Sequence, residues 1–378
     1  MPNFFTDNAD IQWRIRNADL SEIVRLKEGD FSEAAQYPYA PVSVEDAVEG
    51  YCRVLQLVGD VSANFIAPRA NAVDREGPRL EDGKVTYARG TQEELKLLSD
   101  ANLMGFTLPR KYGGLNMPKI AYVCAIEMVS RADAALMTLF GLQDIAETIL
   151  LFANDAQKDR YLPKFSTGEV TGAMVLTEPD AGSDLQAVRL KATPVDEKAG
   201  KWRLDGVKRF ITNGCGDVLL VLGRSEAGTR DGRGLSLFIC ECGPWVRVRH
   251  IEDKLGIHGS PTCELLFKDA PCELVGQRRR GLSKYVMSLM NGARIAIAAQ
   301  ALGIAEAAYR AALAFADQRE QFGAKIMDMP PITEMLLDMK IEVENGRALL
   351  YDAAATVDLA DGLDEKLAHM IFAPNCSR

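Results

Sequence analysis

The chain has 378 residues, of which 47% are hydrophobic and 26% are charged, so it is long enough for two or three domains with large cores. Its formal net charge of -9 argues against a nucleic-acid binder, because such proteins neutralise phosphates with a basic face. Residues 1–16 lack the apolar core of a signal peptide, and no run reaches the ~18 apolar residues that span a bilayer. We therefore expect a cytoplasmic protein without an integral membrane segment.

The cysteines and histidines do not follow a metal-binding pattern. None of the eight cysteines forms a CxxC pair, and there are only three histidines. Cys240 and Cys242 stand at strand spacing on one face, which favours packing in a core over a ligand pair. Gly214 and Gly216 begin like a dinucleotide-binding GxGxxG, but Leu219 takes the place of the third glycine. The sequence predicts neither a metal site nor a nicotinamide fold.

Residues 1–170 are predicted to be mostly helical. Ser43 and Thr91 each precede an acidic residue, Asp46 and Glu94, by three positions, which is the spacing of a capping box. Apolar residues at helical spacing follow both of them. The predicted helices cover 43–73, 91–105 and 118–153.

The pattern then changes to short runs rich in Val, Leu and aromatic residues, separated by turn residues. These runs predict a compact β-domain, either a small barrel or a sandwich. The predicted strands are 172–177, 187–193, 201–204, 209–212, 218–223, 235–240, 246–251 and 262–267.

Helices return after Gly281. One is predicted over 294–319, where the internal glycine Gly303 suits a close helix–helix contact, and a second from Ile332 has the a/d-like spacing of a bundle helix. The predicted fold class is therefore α+β. It comprises an N-terminal helical domain (1–170), a central β-barrel or sandwich domain (171–280) and an incomplete C-terminal helical bundle (281–378).

The segment Thr177-Glu-Pro-Asp-Ala-Gly-Ser-Asp184 carries the strongest local signal. A strand runs into a turn of Pro, Asp, Gly and Ser, which leaves backbone N–H groups and hydroxyls directed outward. These donors suit the polar edge of a planar cofactor. The residues alone leave open a plain surface turn held by local side-chain bonds.

Three motifs resemble those of one family. The string TEPDAGSD resembles the flavin-contact signature of acyl-CoA dehydrogenases, Arg209-Phe-Ile-Thr-Asn-Gly214 resembles its partner strand, and Arg319-Glu-Gln-Phe-Gly323 resembles the family's R-x-x-F-G inside a long helix. The likeness extends over nearly all of 45–360. Two further segments, 254–262 and 290–294, resemble the larger, methylmercaptopropionyl-CoA dehydrogenase-like members of the family. The resemblance implies FAD-dependent α,β-dehydrogenation of an acyl-CoA thioester, with electrons passed to an electron-transfer flavoprotein.

The resemblance also implies roles for residues of the first two motifs. Met174, Leu176 and Thr177 would bond the edge of the isoalloxazine ring, and Phe210 and Thr212 would cover its other side. Prearranged donors would stabilise the negative charge that hydride transfer places on the ring.

Other implied roles lie further along the chain. Ser183 would face the pantetheine of the substrate and the phosphates of the cofactor. Arg319 and Phe322 would reach the FAD of a neighbouring subunit, which implies a homodimer or homotetramer. Arg294 would belong to the substrate-binding side of the site, where it would order the wall of the active site. The alternatives are an exposed Arg319 paired with a neighbouring carboxylate and a plain buried ion pair at Arg294.

The catalytic base is not identified. The reaction requires a carboxylate of raised pKa in a dry pocket, which the family usually carries in a late segment that would lie beyond Arg378. The family's second location holds Ala293 here, and Glu342 and Glu344 are expected to face solvent. We therefore expect a C-terminally truncated chain with weak or no activity. An oxygen-using flavin oxidase or monooxygenase of the same fold and a non-catalytic family member remain alternatives.

Overall fold

The computed structural model describes residues 2–140 and 143–363. The helices in these residues are α1 (Ala9–Asn17), α2 (Ser21–Lys27), α3 (Val44–Val61), α4 (Ala70–Glu76), α5 (Arg89–Asp100), α6 (Lys119–Ala132), α7 (Ala134–Phe140), α8 (Gln143–Phe152), α9 (Asp155–Thr167), α10 (Met287–Gln318) and α11 (Pro330–Leu363). The strands are β1 (Arg79–Glu81), β2 (Lys84–Thr86), β3 (Gly172–Val175), β4 (Lys191–Asp196), β5 (Lys201–Thr212), β6 (Val218–Arg224), β7 (Leu235–Glu241), β8 (Val246–Ile251), β9 (Thr262–Leu274), β10 (Glu320–Gln321) and β11 (Ala324–Lys325).

The α+β class, with helical N- and C-terminal parts around a central sheet, is confirmed. Contacts divide the chain into two compact units. The helical unit comprises Met1–Ala70, Met117–Met137 and Arg294–Arg378, and the sheet-containing unit comprises Asn71–Asn116 and Thr138–Ala293. The domain boundaries drawn from the sequence stay a prediction.

The central strands close into a barrel. Strands β6, β4, β5, β9 and β7 are neighbours in that order, and β7 pairs again with β6. Strand β3 adds to β6 in parallel, and β8 adds to β9 antiparallel. The pairing of β7 with β6 closes the ring of these five strands, which decides for a barrel over a sandwich.

Strand β6 is buried on both faces. Val218, Leu220 and Leu222 pack into one apolar cluster of the sheet unit, while Leu219 and Val221 pack into the other. A strand covered on both sides reads as a continuous hydrophobic run rather than an alternating one. Strand β6 therefore lies between the interior of the barrel and the apolar layer that covers it.

Local helix signals are confirmed in part. The Ser43 side chain caps α3 by accepting a bond from the Asp46 N–H at 3.2 Å, but the Asp46 carboxylate accepts from Val42 instead of closing a reciprocal box. Helix α3 passes into a π-helical turn at Ser62–Ile66. The predicted start at Thr91 is wrong, because α5 begins at Arg89 and buries Thr91 inside the helix.

Several strand boundaries differ from the prediction, and the three largest differences are at β5, β9 and β4. The predicted strands 201–204 and 209–212 are one strand, β5, whose register against β9 shifts at two places. Strand β9 is longer than expected and reaches Leu274. The predicted strand at 187–193 begins only at Lys191, after a 3-10 turn at Leu185–Ala187. Gly206 has a φ of 144°, and its sequence suggests an end to the strand. The β-bulges at the two register shifts allow β5 to continue through this position.

The placement of the R-x-x-F-G motif inside a helix is wrong. Helix α10 ends at Gln318, and the motif forms the turn of the small β10–β11 hairpin. Phe322 and Gly323 have φ values of 54° and 77°, and this left-handed backbone cannot continue an α-helix.

Helix α10 ends one residue before its predicted end but begins at Met287, seven residues before its predicted start, and α11 begins two residues before its predicted start. The predicted close contact at Gly303 is confirmed, since a Cβ there would lie 2.4 Å from the Glu127 carbonyl oxygen in α6. Leu336, Val343 and Leu350 of the predicted apolar stripe are buried. The unfinished end expected at 373–378 lies outside the described residues.

A buried ionic cluster joins α6, α10 and α11. Arg347 donates to Glu127 at 2.7 Å and to Glu306 at 2.8 Å, and Tyr351 donates to Glu127 at 2.7 Å. Burial raises the pKa of Glu127, although Arg347 opposes this shift. Burial alone would lower the pKa of Arg347, but Glu127 outweighs it, and the net shift is upward.

One helical stretch, Ala134–Phe152, reaches the length and hydropathy of a membrane span. Its mean hydropathy is 1.5 over 19 residues, although the stretch is no unbroken apolar run, and 67% of the scored window is buried in the protein. The core helix of a soluble protein has the same properties. By length and mean hydropathy alone this stretch could span a membrane, and it is weak support for a membrane segment.

Candidate functional site

Strand β3 presents one paired and one outer edge. Gly172 pairs with Val218 in parallel register, and the Val218 N–H donates to the Thr171 carbonyl at 3.0 Å. In a parallel ladder this pattern directs the backbone groups of Ala173 and Val175 to β6. The groups of the residues between them, including Met174, therefore face the outer edge.

The last part of β5 holds that outer edge, so the two segments that the sequence predicts to meet do lie together. Three hydrogen bonds join the two segments. Two are donated by buried side chains and one by the backbone. They are Asn213 Nδ2 to the Gly172 carbonyl at 2.9 Å, Lys208 Nζ to the Leu176 carbonyl at 2.6 Å, and the Arg209 N–H to the Thr177 carbonyl at 3.0 Å.

The turn that follows is held by its own glutamate. The Glu178 and Ala181 backbones bond each other in both directions, at 3.0 and 3.1 Å. The Glu178 carboxylate accepts the Arg189 and Leu190 N–H groups, each at 2.8 Å. Ser183, beyond the turn, is exposed. The turn is thus fixed at its base while its tip stays open to solvent.

Lys208 is a residue of the site that the sequence analysis missed. Its side chain is fully buried and pairs with Glu178 Oε1 at 3.0 Å. Burial lowers the pKa of Lys208 to about 8, with Glu178 opposing the shift. The available signal was its position directly before the Arg209–Gly214 motif.

Phe210 is turned away from the strand ladder. The β5–β9 register shifts between Lys208 and Ile211, and Phe210 has a φ of 61° and a side chain that is 52% exposed. A large exposed aromatic ring at a bulge is a ready surface for another flat ring. Thr212, two residues on, is half-buried and pairs with Thr262.

Asn213 was not singled out by the sequence analysis either. It is fully buried with a φ of 52°. Its N–H donates to the Pro261 carbonyl at 2.7 Å, and its Oδ1 accepts from the Tyr87 hydroxyl. These contacts fix the end of β5.

The remaining predicted flavin contacts offer backbone rather than side-chain groups. Met174 packs against the apolar cluster and Leu176 is 5% exposed. In the part of the chain that the structure describes, neither the Leu176 N–H nor the Thr177 N–H is donated to another protein group. Undonated N–H groups beside the exposed ring of Phe210 fit the polar edge and the flat face of a flavin.

Arg319 and Phe322 lie in the β10–β11 turn of the helical unit. Phe322 is 98% exposed. Asp317 pairs with Lys325 at 2.6 Å, and no ion pair of Arg319 occurs among residues 2–140 and 143–363. The alternative of a pairing with a neighbouring carboxylate is therefore not seen there. Both side chains are exposed to solvent.

Arg294 is half-buried in α10, directly after Ala293. Glu342 and Glu344 are exposed, and Glu344 lies 3.6 Å from Lys340, as expected of solvent-facing residues. The catalytic base stays unassigned.

No metal cluster occurs where the structure describes the chain: no three His, Cys, Asp or Glu side chains are grouped to hold an ion. Cys240 is buried in the barrel core and Cys242 is exposed. The two thiols therefore do not share one environment, and the core-packing interpretation holds for Cys240 alone.

A barrel domain that carries a donor-bearing strand edge beside an exposed aromatic ring fits the class of flavin-dependent oxidoreductases. Comparison with known families agrees. The acyl-CoA dehydrogenase N-terminal domain matches residues 53–169, the middle domain matches 173–270 and the C-terminal domain matches 280–371. The chain belongs to the acyl-CoA dehydrogenase family, whose members are FAD-dependent oxidoreductases.

Individual relatives show the same. The chain is 34% identical over 369 residues to 3-methylmercaptopropionyl-CoA dehydrogenase of Ruegeria pomeroyi, covering 90% of this chain and 61% of that protein's length. The butyryl-CoA dehydrogenase structure from Megasphaera elsdenii is 31% identical with a TM-score of 0.72, covering 87% of this chain and 89% of that one. A structure described as the electron-transferring flavoprotein of Acidaminococcus fermentans is 31% identical with a TM-score of 0.71, covering 85% and 87%.

Proposed function

We propose that this chain binds FAD and takes part in the α,β-dehydrogenation of an acyl-CoA thioester. The observation that carries the proposal is the direct contact between the turn after β3 and the end of β5, at Leu176–Lys208 and Thr177–Arg209. Family membership supports the substrate class, since the relatives from Ruegeria pomeroyi and Megasphaera elsdenii, which match over most of this chain, are both named as dehydrogenases of acyl-CoA thioesters.

The residues around this contact would hold the flavin. Met174, Leu176 and Thr177 offer backbone groups for the ring edge, and Phe210 and Thr212 offer the surface on the other side. When bound, FAD supplies an acceptor for the hydride that leaves the β-carbon of the substrate. The protein's part is to bind and orient the ring and to present fixed N–H dipoles where negative charge develops.

Ser183 and Arg294 are proposed to contribute to the substrate side of the site. The exposed hydroxyl of Ser183 beyond the turn is free to bond a phosphate or an amide of the ligand. Arg278, by contrast, is engaged within the protein, because its guanidinium pairs with Glu226 at 2.6 Å and with Glu197 at 3.0 Å. These ion pairs favour a structural role for Arg278 over one as a phosphate ligand.

The test is anaerobic. Purified protein is loaded with FAD, mixed with a panel of acyl-CoAs, and followed by flavin absorbance. Failure to bind FAD would overturn the proposal as a whole. Bleaching by any acyl-CoA supports dehydrogenation and would contradict the weak activity expected from the sequence. Bound FAD that no acyl-CoA bleaches would limit the function of this chain to flavin binding.

The electron acceptor is proposed to be an electron-transfer flavoprotein. The similarity to the Acidaminococcus structure supports this choice. After bleaching, reoxidation by added electron-transfer flavoprotein without peroxide is the expected result. Stoichiometric peroxide in air, with no effect of the flavoprotein, would favour the oxidase alternative. The cytoplasmic location stays a prediction.

We also propose that Arg319 and Phe322 bind the FAD of a second copy in a homodimer or homotetramer. Their exposure on a turn supports this. A guanidinium can bond a diphosphate bidentately. Arg319→Met should raise the FAD dissociation constant about tenfold, whereas Arg53→Met, at an exposed arginine elsewhere on the same unit, should not. Equal affinity in both variants, or a monomer at all concentrations, would refute this assignment.

A further inference from the structure

The buried pair of Lys208 and Glu178 stands directly behind the proposed flavin edge. Lys208 is 0% exposed and Glu178 is 8% exposed. Isolating a lysine from water is costly unless its charge is paired and its N–H groups are bonded. A fully buried lysine at this place therefore requires a reason beyond filling space, since an apolar side chain of similar length would pack there at lower cost.

The contacts of the pair run to the backbone of the turn rather than to distant elements. Lys208 Nζ donates to the Leu176 carbonyl at 2.6 Å and to Glu178 Oε1 at 3.0 Å. The same Glu178 carboxylate accepts both Arg189 and Leu190 N–H groups at 2.8 Å. One ion pair thus ties together the end of β3, the turn and the segment that leads into β4.

The geometry of the peptide bond converts this contact into an orientation. In a trans peptide the C=O and the following N–H are antiparallel and lie in one plane. Lys208 holds the Leu176 carbonyl, so the Thr177 N–H of the same peptide must point away from the ammonium group. The Arg209 N–H holds the Thr177 carbonyl at 3.0 Å and fixes the next peptide plane in the same way.

Lys208 therefore determines the direction of an N–H group that the described part of the protein does not use. Without the ammonium group, the Leu176–Thr177 peptide would keep no side-chain bond on its carbonyl, and its plane could rotate. Donors that must turn before they bind a developing charge are less effective than donors already in place.

We propose that Lys208 and Glu178 are positioning residues for the flavin, which set the direction of the Leu176–Thr177 peptide and thereby the affinity and reduction potential of the bound cofactor. The inference rests on the proposed function. Neither residue is proposed to touch the substrate or the ring.

The test compares Lys208→Met with Lys201→Met, which replaces an exposed lysine on the same strand. FAD dissociation constants, flavin absorption spectra and reduction potentials are measured for both variants and for the unmodified chain. Lys208→Met should raise the dissociation constant at least tenfold, shift the flavin absorption band and lower the reduction potential. Lys201→Met should match the unmodified chain in all three.

A second variant covers the case in which Lys208→Met does not fold. Lys208→Met/Glu178→Gln removes the carboxylate that would be left buried without its cation, while its amide oxygen keeps an acceptor for one of the two N–H groups, that of Arg189 or that of Leu190. It should show the same spectral and potential shifts. A folded single or double variant with unchanged affinity, spectrum and potential would overturn the inference and leave the proposed function intact. An unmodified chain that binds no FAD would overturn both.

Discussion

Arg347→Met removes the guanidinium that bonds two buried carboxylates. The side chains of Arg347, Glu127 and Glu306 are 3%, 1% and 5% exposed. Removing one partner of a buried ion pair typically costs about 3–5 kcal/mol, because the other charge stays buried. Glu306 keeps Arg310 and Glu127 keeps Tyr351. We therefore expect a loss near the lower end, about 3 kcal/mol.

The loss should depend on pH. Burial already raises the pKa of Glu127 above its ordinary value, and Arg347 opposes the shift, so removing Arg347 raises this pKa further. A carboxyl with a raised folded-state pKa destabilises the fold as pH rises through that pKa. The difference between Arg347→Met and the unmodified chain should therefore grow from about pH 5 to about pH 7.5.

The assay is urea unfolding followed by circular dichroism at both pH values. The matched control is Arg14→Met, which breaks the partly exposed Arg14–Asp352 pair at 3.1 Å and should cost less than ~1 kcal/mol. Adding Glu127→Gln to Arg347→Met should recover part of the loss by removing the buried charge. Equal losses for Arg347→Met and Arg14→Met, or a loss that shrinks as pH rises, would refute this reasoning.

The remaining predictions concern helix contacts. Gly303→Ala places a Cβ 2.4 Å from the Glu127 carbonyl oxygen and should lower the free energy of unfolding by about 1–3 kcal/mol. Gly346→Ala meets only an ordinary 3.6 Å contact and should raise the free energy of unfolding by about 0.5–1 kcal/mol. Equal thermal midpoints for the two variants would count against the packing argument. Asp358 accepts the first two N–H groups of α6, at 2.6 and 2.9 Å, and burial raises its pKa to about 6. The fold should therefore lose stability from this group between about pH 4 and pH 6, and Asp358→Asn should flatten the pH dependence of the urea midpoint; an unchanged slope would show that another group is responsible.

Much of the local structure of this protein could be predicted from its sequence. The hydroxyl of Ser43 caps a helix because its partner N–H lies only three residues away. Strands such as Val246–Ile251 were predicted at their observed bounds, since alternation reflects one buried face along a single segment. The TEPDAGSD turn and the strand ending at Thr212 were likewise found as sequence motifs, and the structure brings them together.

Tertiary structure decided what depends on distant segments. Lys208 and Leu176 are separated by 32 residues, and no local rule predicts that a lysine on one strand will bond a carbonyl on another. Thr91 has the spacing of a helix cap but lies inside α5. Tertiary packing, rather than local propensity, sets the residue at which this helix begins. The helix before the R-x-x-F-G motif ends at Gln318, and the backbone of the motif turns left-handed at Phe322. Sequence patterns report the preferences of neighbouring residues, whereas barrel closure, buried ion pairs and the direction of a peptide plane are set by contacts between residues far apart in the chain.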